Sequence, residues 1–293
     1  MRRILIAGCG YVGQATADLF AAAGWDVEGW TASERSVTAL SDKRYPVCQV
    51  DISNRDLVMK RRGTFDAIIH CASSRGGGAE SYRQIYLNGV RNLLDRFVGT
   101  RMLFTSSTSV YAQRDGSWVT EESETNPEET GRLLLETEKL VLDHRYTVAR
   151  LAGIYGPGRS ALVSKLLAGT AIIDPDNDRF VNQAHRDDIA CALFLLLTGD
   201  LQEAQIYNIV DDEPLLQSAC YRWLARRLSR PPPPIGRVAA RRKRGDTNKR
   251  VSNAKLRSLG WTPQYPTFVD AMEKSILPSF SKLEVPLTAN PGS

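Results

Sequence analysis

The feature that most constrains this chain is a glycine triplet lying between an apolar run and an amphipathic segment. Gly8, Gly10 and Gly13 form a GxGxxG pattern after the apolar residues 4–7, which predict a strand buried on both faces. A helical pattern follows, and residues 25–31 predict a second strand, so one βαβ unit fits into about thirty residues. Such a unit presents free N–H groups and the positive end of a helix dipole to the pyrophosphate of a dinucleotide.

The spacing gives each glycine its own task. Gly8 permits the tight turn, Gly10 lets the backbone approach the pyrophosphate, and Gly13 lets the helix pack close to the strand. Tyr11 and Val12 would add backbone N–H groups at the start of the helix. A purely structural turn is the alternative, because glycines often mark turns.

The end of the second predicted strand bears on the choice of cofactor. An acidic side chain normally holds the ribose of NAD there, but Thr31 occupies the position and the nearest acids are Glu28 and Glu34. Thr31, Ser33 and Arg35 could instead surround a 2′-phosphate, so we favour NADP over NAD. In the alternative interpretation, Arg35 is only a solvated residue at a helix start.

Length and composition exclude several protein classes. A chain of 293 residues is long enough for one large core and a second lobe. No apolar run approaches the roughly 18 residues of a membrane span, so we expect no membrane partner. Five scattered cysteines without a CxxC pair and three dispersed histidines predict neither a disulfide framework nor a metal site. A reducing, cytoplasmic location fits this pattern best.

The net charge of +5 is unevenly distributed. Residues 226–257 contain twelve Lys/Arg and one acid, a net +11, so the rest of the chain carries −6. This basic segment, which includes a tetraproline spacer at 231–234, would suit a phosphorylated or otherwise acidic small molecule. A solvated loop is the alternative. Nucleic acid is disfavoured, because the segment lacks the interleaved aromatic residues that single-strand binders use.

Further strands and helices alternate along the chain. Residues 45–51 predict a third strand, whose Asp51 could meet the adenine amino group, and a helix is expected at 53–62. Residues 65–72 predict a fourth strand that ends at Ala72, and Ser73 follows at its carboxyl end, where open α/β sheets bind ligands. A long helix is expected at 79–98, so the pattern predicts an α/β fold with a doubly wound parallel sheet.

A fifth predicted strand ends in TSSTSVY at 105–111, and here the chain resembles a known family. The motif is similar to that of extended short-chain dehydrogenases/reductases (SDRs), the superfamily of nucleotide-sugar epimerases and dehydratases. The further matching segments are YLNGVRNLL at 86–94, RLAGIYGPGR at 150–159, AHRDDIACALFLLL at 184–197, IYNIVDDEP at 206–214 and KRVSNAKLRSLGWTPQYP at 249–266. The whole pattern resembles the atypical YeeZ-like branch of this superfamily.

The resemblance implies a Rossmann-type fold with a smaller C-terminal substrate lobe. The NAD(P)-binding domain would comprise 1–155, continued by about 182–211, and the substrate lobe 156–181 and 212–280, before a tail at 281–293. A homodimer formed through helices near 79–98 and 130–143 is also implied.

The resemblance fails at the family's acid/base pair. The family helix carries YxxxK, whose tyrosine exchanges protons while the lysine lowers its pKa, but Thr130 and Leu134 occupy those places here. A threonine hydroxyl is far too weak an acid to replace tyrosine, and general acid–base participation is worth roughly 10² to 10⁴ in rate. The chain is therefore a slow enzyme, an enzyme with another proton donor, or a binding protein.

Several residues are candidates for the remaining site. Ser107 would polarise the substrate oxygen by resemblance, or would simply cap the following turn. Tyr155 is a candidate surrogate acid, whereas Tyr111 is expected to be structural. The resemblance also places His185 and Arg159 near the substrate, and a helix-start histidine bonded to backbone is the alternative for His185.

Together these features predict an NAD(P)-dependent oxidoreductase or epimerase/dehydratase-like protein. Its substrate would be a small sugar-nucleotide or acidic molecule. A non-catalytic NAD(P)-binding sensor or regulatory protein is the alternative, and the missing YxxxK pair favours it.

Overall fold

The computed structural model describes residues 1–74, 76–125, 127–199, 203–237 and 247–281. Its strands are β1 (Arg3–Ala7), β2 (Asp26–Thr31), β3 (Val47–Gln49), β4 (Ala67–His70), β5 (Arg101–Ser107), β6 (Trp118–Val119), β7 (Thr147–Leu151), β8 (Gly153–Tyr155), β9 (Phe180–Val181), β10 (Gln183–His185), β11 (Ile206–Ile209), β12 (Leu215–Leu216) and β13 (Arg250–Val251). Its α-helices are α1 (Tyr11–Ala22), α2 (Glu34–Thr38), α3 (Arg55–Met59), α4 (Ala79–Tyr82), α5 (Gly89–Arg96), α6 (Glu129–Asp143), α7 (Ala161–Leu167), α8 (Arg186–Thr198), α9 (Gln217–Arg227), α10 (Ala254–Arg257), α11 (Phe268–Ala271) and α12 (Leu277–Ser281).

Seven parallel strands form the central sheet, in the order β3-β2-β1-β4-β5-β7-β11. The apolar runs predicted as strands form β1 and β4 at its centre, and Ile4–Ala7 and Ala67–His70 are buried along their whole length. The chain turns outward in opposite directions from β1 and β4, and such a reversal opens a crevice at the carboxyl ends of the strands. The predicted doubly wound Rossmann-type sheet is confirmed.

Helices pack on this sheet, and buried side chains of the strands and helices together form the main hydrophobic core. Helix α1 packs on α8, and the rings of Phe20 and Phe194 meet with centroids 4.8 Å apart. Helix α6 packs against α4 and the π-helical stretch that follows it.

Element boundaries differ from the prediction where the chain lies at an edge or changes its winding. The third strand spans only Val47–Gln49 rather than 45–51, since β3 is an edge strand that pairs with β2 alone. The long helix predicted at 79–98 is divided by π-helical residues Arg83–Asn88 and ends at Arg96. Periodicity detects the apolar face of such a helix but not a change in its hydrogen bonding.

A second hydrophobic cluster lies apart from the main core. Its buried members are Tyr155, Leu162, Val163, Leu166, Ala171, Ile173, Cys220, Tyr221, Leu224, Phe268, Ala271, Met272 and Ile276. All except Tyr155 belong to segments assigned to the substrate lobe, although the domain boundaries themselves stay a prediction.

Two predicted features fall partly outside the structure. Residues 238–246 of the basic segment and 282–293 of the tail lie outside the described residues. Among the helices of the described ranges, none is long and apolar enough to cross a membrane.

Candidate active site

A crevice of about 930 Å³ opens at the carboxyl ends of the central strands. The predicted cofactor residues that line it are Gly8, Gly10, Tyr11, Val12, Thr31, Asp51, Ala72 and Ser73, and Arg159 lines it as well. Gly13 and Arg35 are not among the lining residues. The structure thus brings together residues from four strand ends, as expected for a doubly wound sheet.

The three glycines differ in what a side chain would meet. At Gly8, whose φ is +105°, a Cβ atom would lie 2.2 Å from the backbone nitrogen of Ala72. At Gly13 a Cβ atom would lie 2.2 Å from the carbonyl oxygen of Gly8. At Gly10 a Cβ atom would meet no atom of the described residues within 4 Å, so the backbone faces open space. This geometry fits a dinucleotide, because the turn is tight where the chain packs and open where a pyrophosphate would approach.

Glu28 is held away from any ribose by partners of its own. Its carboxylate accepts hydrogen bonds from Arg3 (2.8 Å), Arg61 (2.9 Å) and the indole N–H of Trp30 (2.7 Å). A carboxylate bonded to two guanidinium groups and an indole is committed to that cluster. It therefore does not serve as the acidic residue expected at the end of β2.

Hydroxyl groups line the crevice beyond β2. Thr31, Ser33 and Ser36 all contribute, and the Ser33 and Ser36 hydroxyls are 2.8 Å apart. Ser33 also caps α2 by accepting a hydrogen bond from the Ser36 N–H. Ser36 was missed in the sequence, although its spacing of three from a helix cap could have indicated it. Arg35 is exposed beside this wall.

Asp51 has a fixed orientation at the crevice. Its Oδ1 accepts hydrogen bonds from the backbone N–H (2.9 Å) and the hydroxyl (2.7 Å) of Ser53. This local turn holds the carboxylate among the lining residues, where it can meet an adenine amino group.

Ser107 lies at the carboxyl end of β5. Ser107 comes three residues after Phe104 in the chain. Ser73 comes three residues after His70, and His70 pairs with Phe104 where β4 and β5 lie side by side. Both serines therefore leave the same edge of the sheet. The Ser107 Oγ accepts the N–H of Ser109 (3.2 Å), so it caps the following turn and keeps its own proton to donate. The two roles weighed for this serine are thus compatible.

A buried ion pair supports the segment around Ser107. Arg150 and Glu138 meet at 2.6 Å, and both side chains are almost fully buried. Glu138 also accepts the hydroxyl of Ser106 (2.5 Å), and Arg150 donates to the hydroxyl of Tyr111 (2.8 Å). The residues on both sides of Ser107 are therefore anchored to one charge pair.

Tyr111 is structural, as its position in the TSSTSVY motif predicted. Its hydroxyl is fully buried and donates to the Asn208 side chain (2.9 Å). Burial raises the pKa of Tyr111 despite the neighbouring guanidinium of Arg150. A tyrosine with no solvent access and a raised pKa cannot replace the missing acid.

The family's acid/base positions carry no such chemistry here. Thr130 is half-buried in the first turn of α6, and Leu134, one turn later, is packed in the main core. A buried leucine supplies no positive charge to lower the pKa of a neighbouring hydroxyl.

Like Ser107, the predicted site residues Tyr155 and His185 are not among the residues that line the crevice. Tyr155 is buried in the second cluster, its hydroxyl is 3.5 Å from Asp211, and burial raises its pKa, so we do not propose it as an acid. His185 is buried as the N-cap of α8, where Nδ1 accepts the N–H of Asp187 (3.2 Å) and Nε2 meets Ser275 (2.9 Å). Burial lowers the pKa of His185 to about 4, so the ring is neutral. The structure favours the helix-cap alternative for this histidine.

The described part of the basic segment is not a uniform charged surface. Lys249 is buried, and its ammonium donates to the carbonyl of Tyr111 (2.7 Å). Burial, with Arg179 nearby, lowers the pKa of Lys249 to about 8. Arg250 lies between the rings of Trp118 and Phe180, about 5 Å from each centroid. Charge counting missed these contacts because it cannot tell a buried cation from a solvated one.

We expect His70, at the end of β4, to lower the stability of the fold in acid. It is fully buried among Tyr86 and Phe104, and burial lowers its pKa from an ordinary 6.5 to about 4. As the pH falls, His70 therefore binds a proton near pH 6.5 in the unfolded chain but only near pH 4 in the folded chain. We expect this histidine to remove about 3 kcal/mol of stability as the pH falls across that window.

Urea unfolding at pH 7, 5 and 4 measures this effect. The His70→Gln variant should lose about 3 kcal/mol less than the wild type between pH 7 and 4, and the exposed His144→Gln control should follow the wild type. If the free energy of unfolding fell equally for His70→Gln and the wild type between pH 7 and 4, the effect would not come from His70.

Comparisons with known proteins agree with this geometry. The sequence profile described as "NAD dependent epimerase/dehydratase family" matches residues 4–209. Protein YeeZ of Escherichia coli K12 is 31% identical over 248 residues, which are 80% of this chain and 86% of that protein.

Solved structures extend the similarity over the whole described fold. A protein from Methylobacillus flagellatus, described as an NAD-dependent epimerase/dehydratase, has a TM-score of 0.75 and 27% identity, covering 96% of this chain and 99% of that one. UDP-glucose 4-epimerase from Thermotoga maritima, solved with UDP-glucose, has a TM-score of 0.82 and 18% identity, covering 97% and 100%. The profile match spans most of the chain and includes the glycine turn, Ser107 and the Arg150–Glu138 pair. This chain therefore belongs to the NAD dependent epimerase/dehydratase family.

Proposed function

We propose that this protein is an NAD(P)-dependent oxidoreductase or epimerase-like enzyme that acts on a small sugar-nucleotide or acidic substrate. The observation that carries the proposal is the crevice, in which the open glycine turn at Gly10 meets the strand-end residues Asp51 and Ser73. When bound there, a nicotinamide ring supplies hydride exchange at a substrate carbon. The sugar-nucleotide class is supported by the Thermotoga maritima epimerase, whose structure contains UDP-glucose.

The chain's own residues would divide the remaining tasks. Gly8, Gly10 and the first turn of α1 would hold the cofactor, and Asp51 would orient its adenine. Ser107 would donate a hydrogen bond to the reacting oxygen of the substrate. Because Thr130 replaces the tyrosine, we expect turnover slower than that of relatives that have one, by roughly 10² to 10⁴.

NADPH is the cofactor we expect to bind more tightly. The wall beyond β2 offers the hydroxyls of Thr31, Ser33 and Ser36 with Arg35 beside them, and Glu28 is occupied elsewhere. These groups suit a 2′-phosphate better than a ribose diol. Calorimetric titration should give an NADPH affinity roughly 10-fold above that of NADH, equivalent to about 1.4 kcal/mol.

Two variants test in that titration whether Arg35 contributes to the binding of the 2′-phosphate. Arg35→Ala should weaken NADPH and leave NADH unchanged, whereas the exposed Arg44→Ala should change neither. Tighter binding of NADH than NADPH would reject the preference. Failure of NAD, NADH, NADP and NADPH alike to bind would reject the proposed function.

Turnover tests the enzymatic part of the proposal. Nucleotide sugars and small ketones are incubated with the bound cofactor, and absorbance at 340 nm is followed. With any compound that reacts, Ser107→Ala should lower kcat/KM by roughly 10-fold or more, because the substrate oxygen loses its donor. Ser109→Ala, at the exposed neighbouring hydroxyl, serves as the control.

The second candidate function is a cofactor-binding sensor without turnover. Leu134 favours it, because a core leucine stands where the family lysine would act. Cofactor binding without any turnover over the substrate panel would support this candidate. A homodimer formed by the helices at 79–96 and 129–143 suits either function and stays a proposal.

A further inference from the structure

Two arginines lie over one aromatic ring at the mouth of the crevice. The guanidinium carbon of Arg159 is 5.2 Å from the centroid of the Tyr11 ring, and that of Arg186 is 5.0 Å from it. Arg159 precedes α7 and Arg186 begins α8, so separate parts of the chain bring both cations to Tyr11. Such cation–π contacts hold guanidinium groups in place without neutralising them.

The loop that carries Arg159 is fastened to the same tyrosine. The Tyr11 hydroxyl donates to the carbonyl of Pro157 (3.0 Å). A Cβ atom at Gly156 would lie 2.6 Å from that hydroxyl, so the loop packs against Tyr11 without space for a side chain. On its outer side, the N–H of Gly158 donates to Ser279 (2.8 Å). Arg159 is therefore presented at the crevice by a fixed loop.

The two arginines differ in whether an acid neutralises them. Arg186 pairs with Asp187 (2.8 Å), but none of the ion pairs within the described ranges involves Arg159. Arg159 lines the crevice beside Gly10 and Tyr11. A cation facing a crevice without a carboxylate partner is available to an anionic ligand.

The start of α1 adds a third source of positive potential. Helix α1 begins at Tyr11, and its N-cap Gly10 supplies no side-chain hydrogen bond to the first turn. Tyr11 and Arg159 both line the crevice, and the Arg186 guanidinium lies over the Tyr11 ring. A ligand with several anionic oxygens would satisfy both sets of donors at once.

We propose that Arg159 and Arg186 bind the diphosphate of the nicotinamide dinucleotide together with the glycine turn. This inference rests on the dinucleotide binding proposed above, and it moves Arg159 from the substrate to the cofactor. A nucleotide sugar also carries a diphosphate, so the test must separate the two sources.

Calorimetric titration of NADH and NADPH into the full chain provides the first arm. Arg159→Ala and Arg186→Ala should each weaken binding roughly 10-fold, because each removes a charge-assisted contact. Arg222→Ala is the control, since Arg222 is exposed and its guanidinium donates to Ser218 on α9. ADP-ribose, which keeps the diphosphate, should lose affinity equally, whereas adenosine 2′-monophosphate should not.

The second arm uses UDP-glucose as the probe. Loss of UDP-glucose binding with unchanged NADH and NADPH binding would assign the arginines to the substrate and overturn the proposal. Arg159→Lys, which keeps the charge but loses the planar fork, should weaken NADPH less than Arg159→Ala, and it replaces that variant if alanine prevents folding.

The failures of the two proposals are distinguishable. If the wild type binds NADH or NADPH and the arginine variants bind them equally well, only the arginine assignment is wrong. If the wild type binds none of the dinucleotides, the proposed function fails and the arginine assignment fails with it.

Discussion

Replacing Arg150 with methionine is expected to lower the free energy of unfolding by about 3–5 kcal/mol. The change removes the partner of Glu138 and leaves a carboxylate almost fully buried without its cation. It also removes the N–H donor to the Tyr111 hydroxyl. Urea unfolding at pH 7 measures the loss as a shift of the midpoint at constant slope.

A second ion pair on the same helix provides the control. Arg91 and Glu136 meet at 3.2 Å, but both side chains are about half exposed. Arg91→Met should therefore cost less than about 1 kcal/mol. The double variant Arg150→Met/Glu138→Leu should recover more than half of the loss, since it removes the uncompensated charge. A cost below about 1 kcal/mol for Arg150→Met would show that the pair does not anchor the segment around Ser107.

The other large effect is expected on cofactor affinity, from Gly10→Val. The backbone of Gly10 has a φ of −93°, and a Cβ atom there would meet no described atom within 4 Å, so the folded chain leaves space at this position. The same side chain would occupy the space that the pyrophosphate must enter. We expect NADPH affinity to fall at least about 100-fold, equivalent to about 3 kcal/mol, with little change in stability.

Calorimetry and thermal unfolding separate the two effects of Gly10→Val. Gly78→Val is the matched control, because Gly78 is also a helix N-cap with an ordinary φ (−72°) and open space around its Cβ position. It is not among the residues that line the crevice. If Gly10→Val bound NADPH as tightly as Gly78→Val does, the pyrophosphate would have to lie elsewhere.

Local sequence signals predicted the sheet and the cofactor crevice well. The runs at 4–7 and 67–69 are apolar throughout, which is typical of strands covered on both faces, and both lie at the centre of the sheet. The glycine spacing placed Gly8 and Gly10 in the turn after β1 and Gly13 in the first turns of α1, where its Cβ position lies against the carbonyl of Gly8.

The polar residues near the site could not be assigned in the same way. Arg150 stood in a matched segment, but its pairing with Glu138 depends on how α6 packs on β7. Tyr155 lies at the end of a strand, where a side chain can face either side of the backbone. The packing of the second cluster turned it away from the crevice.

The sequence by itself therefore determined the central strands, the glycine turn and the absence of the family's tyrosine and lysine, since these features depend on residue identity and short-range spacing. Only the tertiary structure decided that Glu28 is occupied, that Lys249 is buried, and that Arg159 and Arg186 share one ring. Each of these contacts joins residues far apart in the chain, whose burial and charge pairing are set by packing between elements, and no local pattern records that packing.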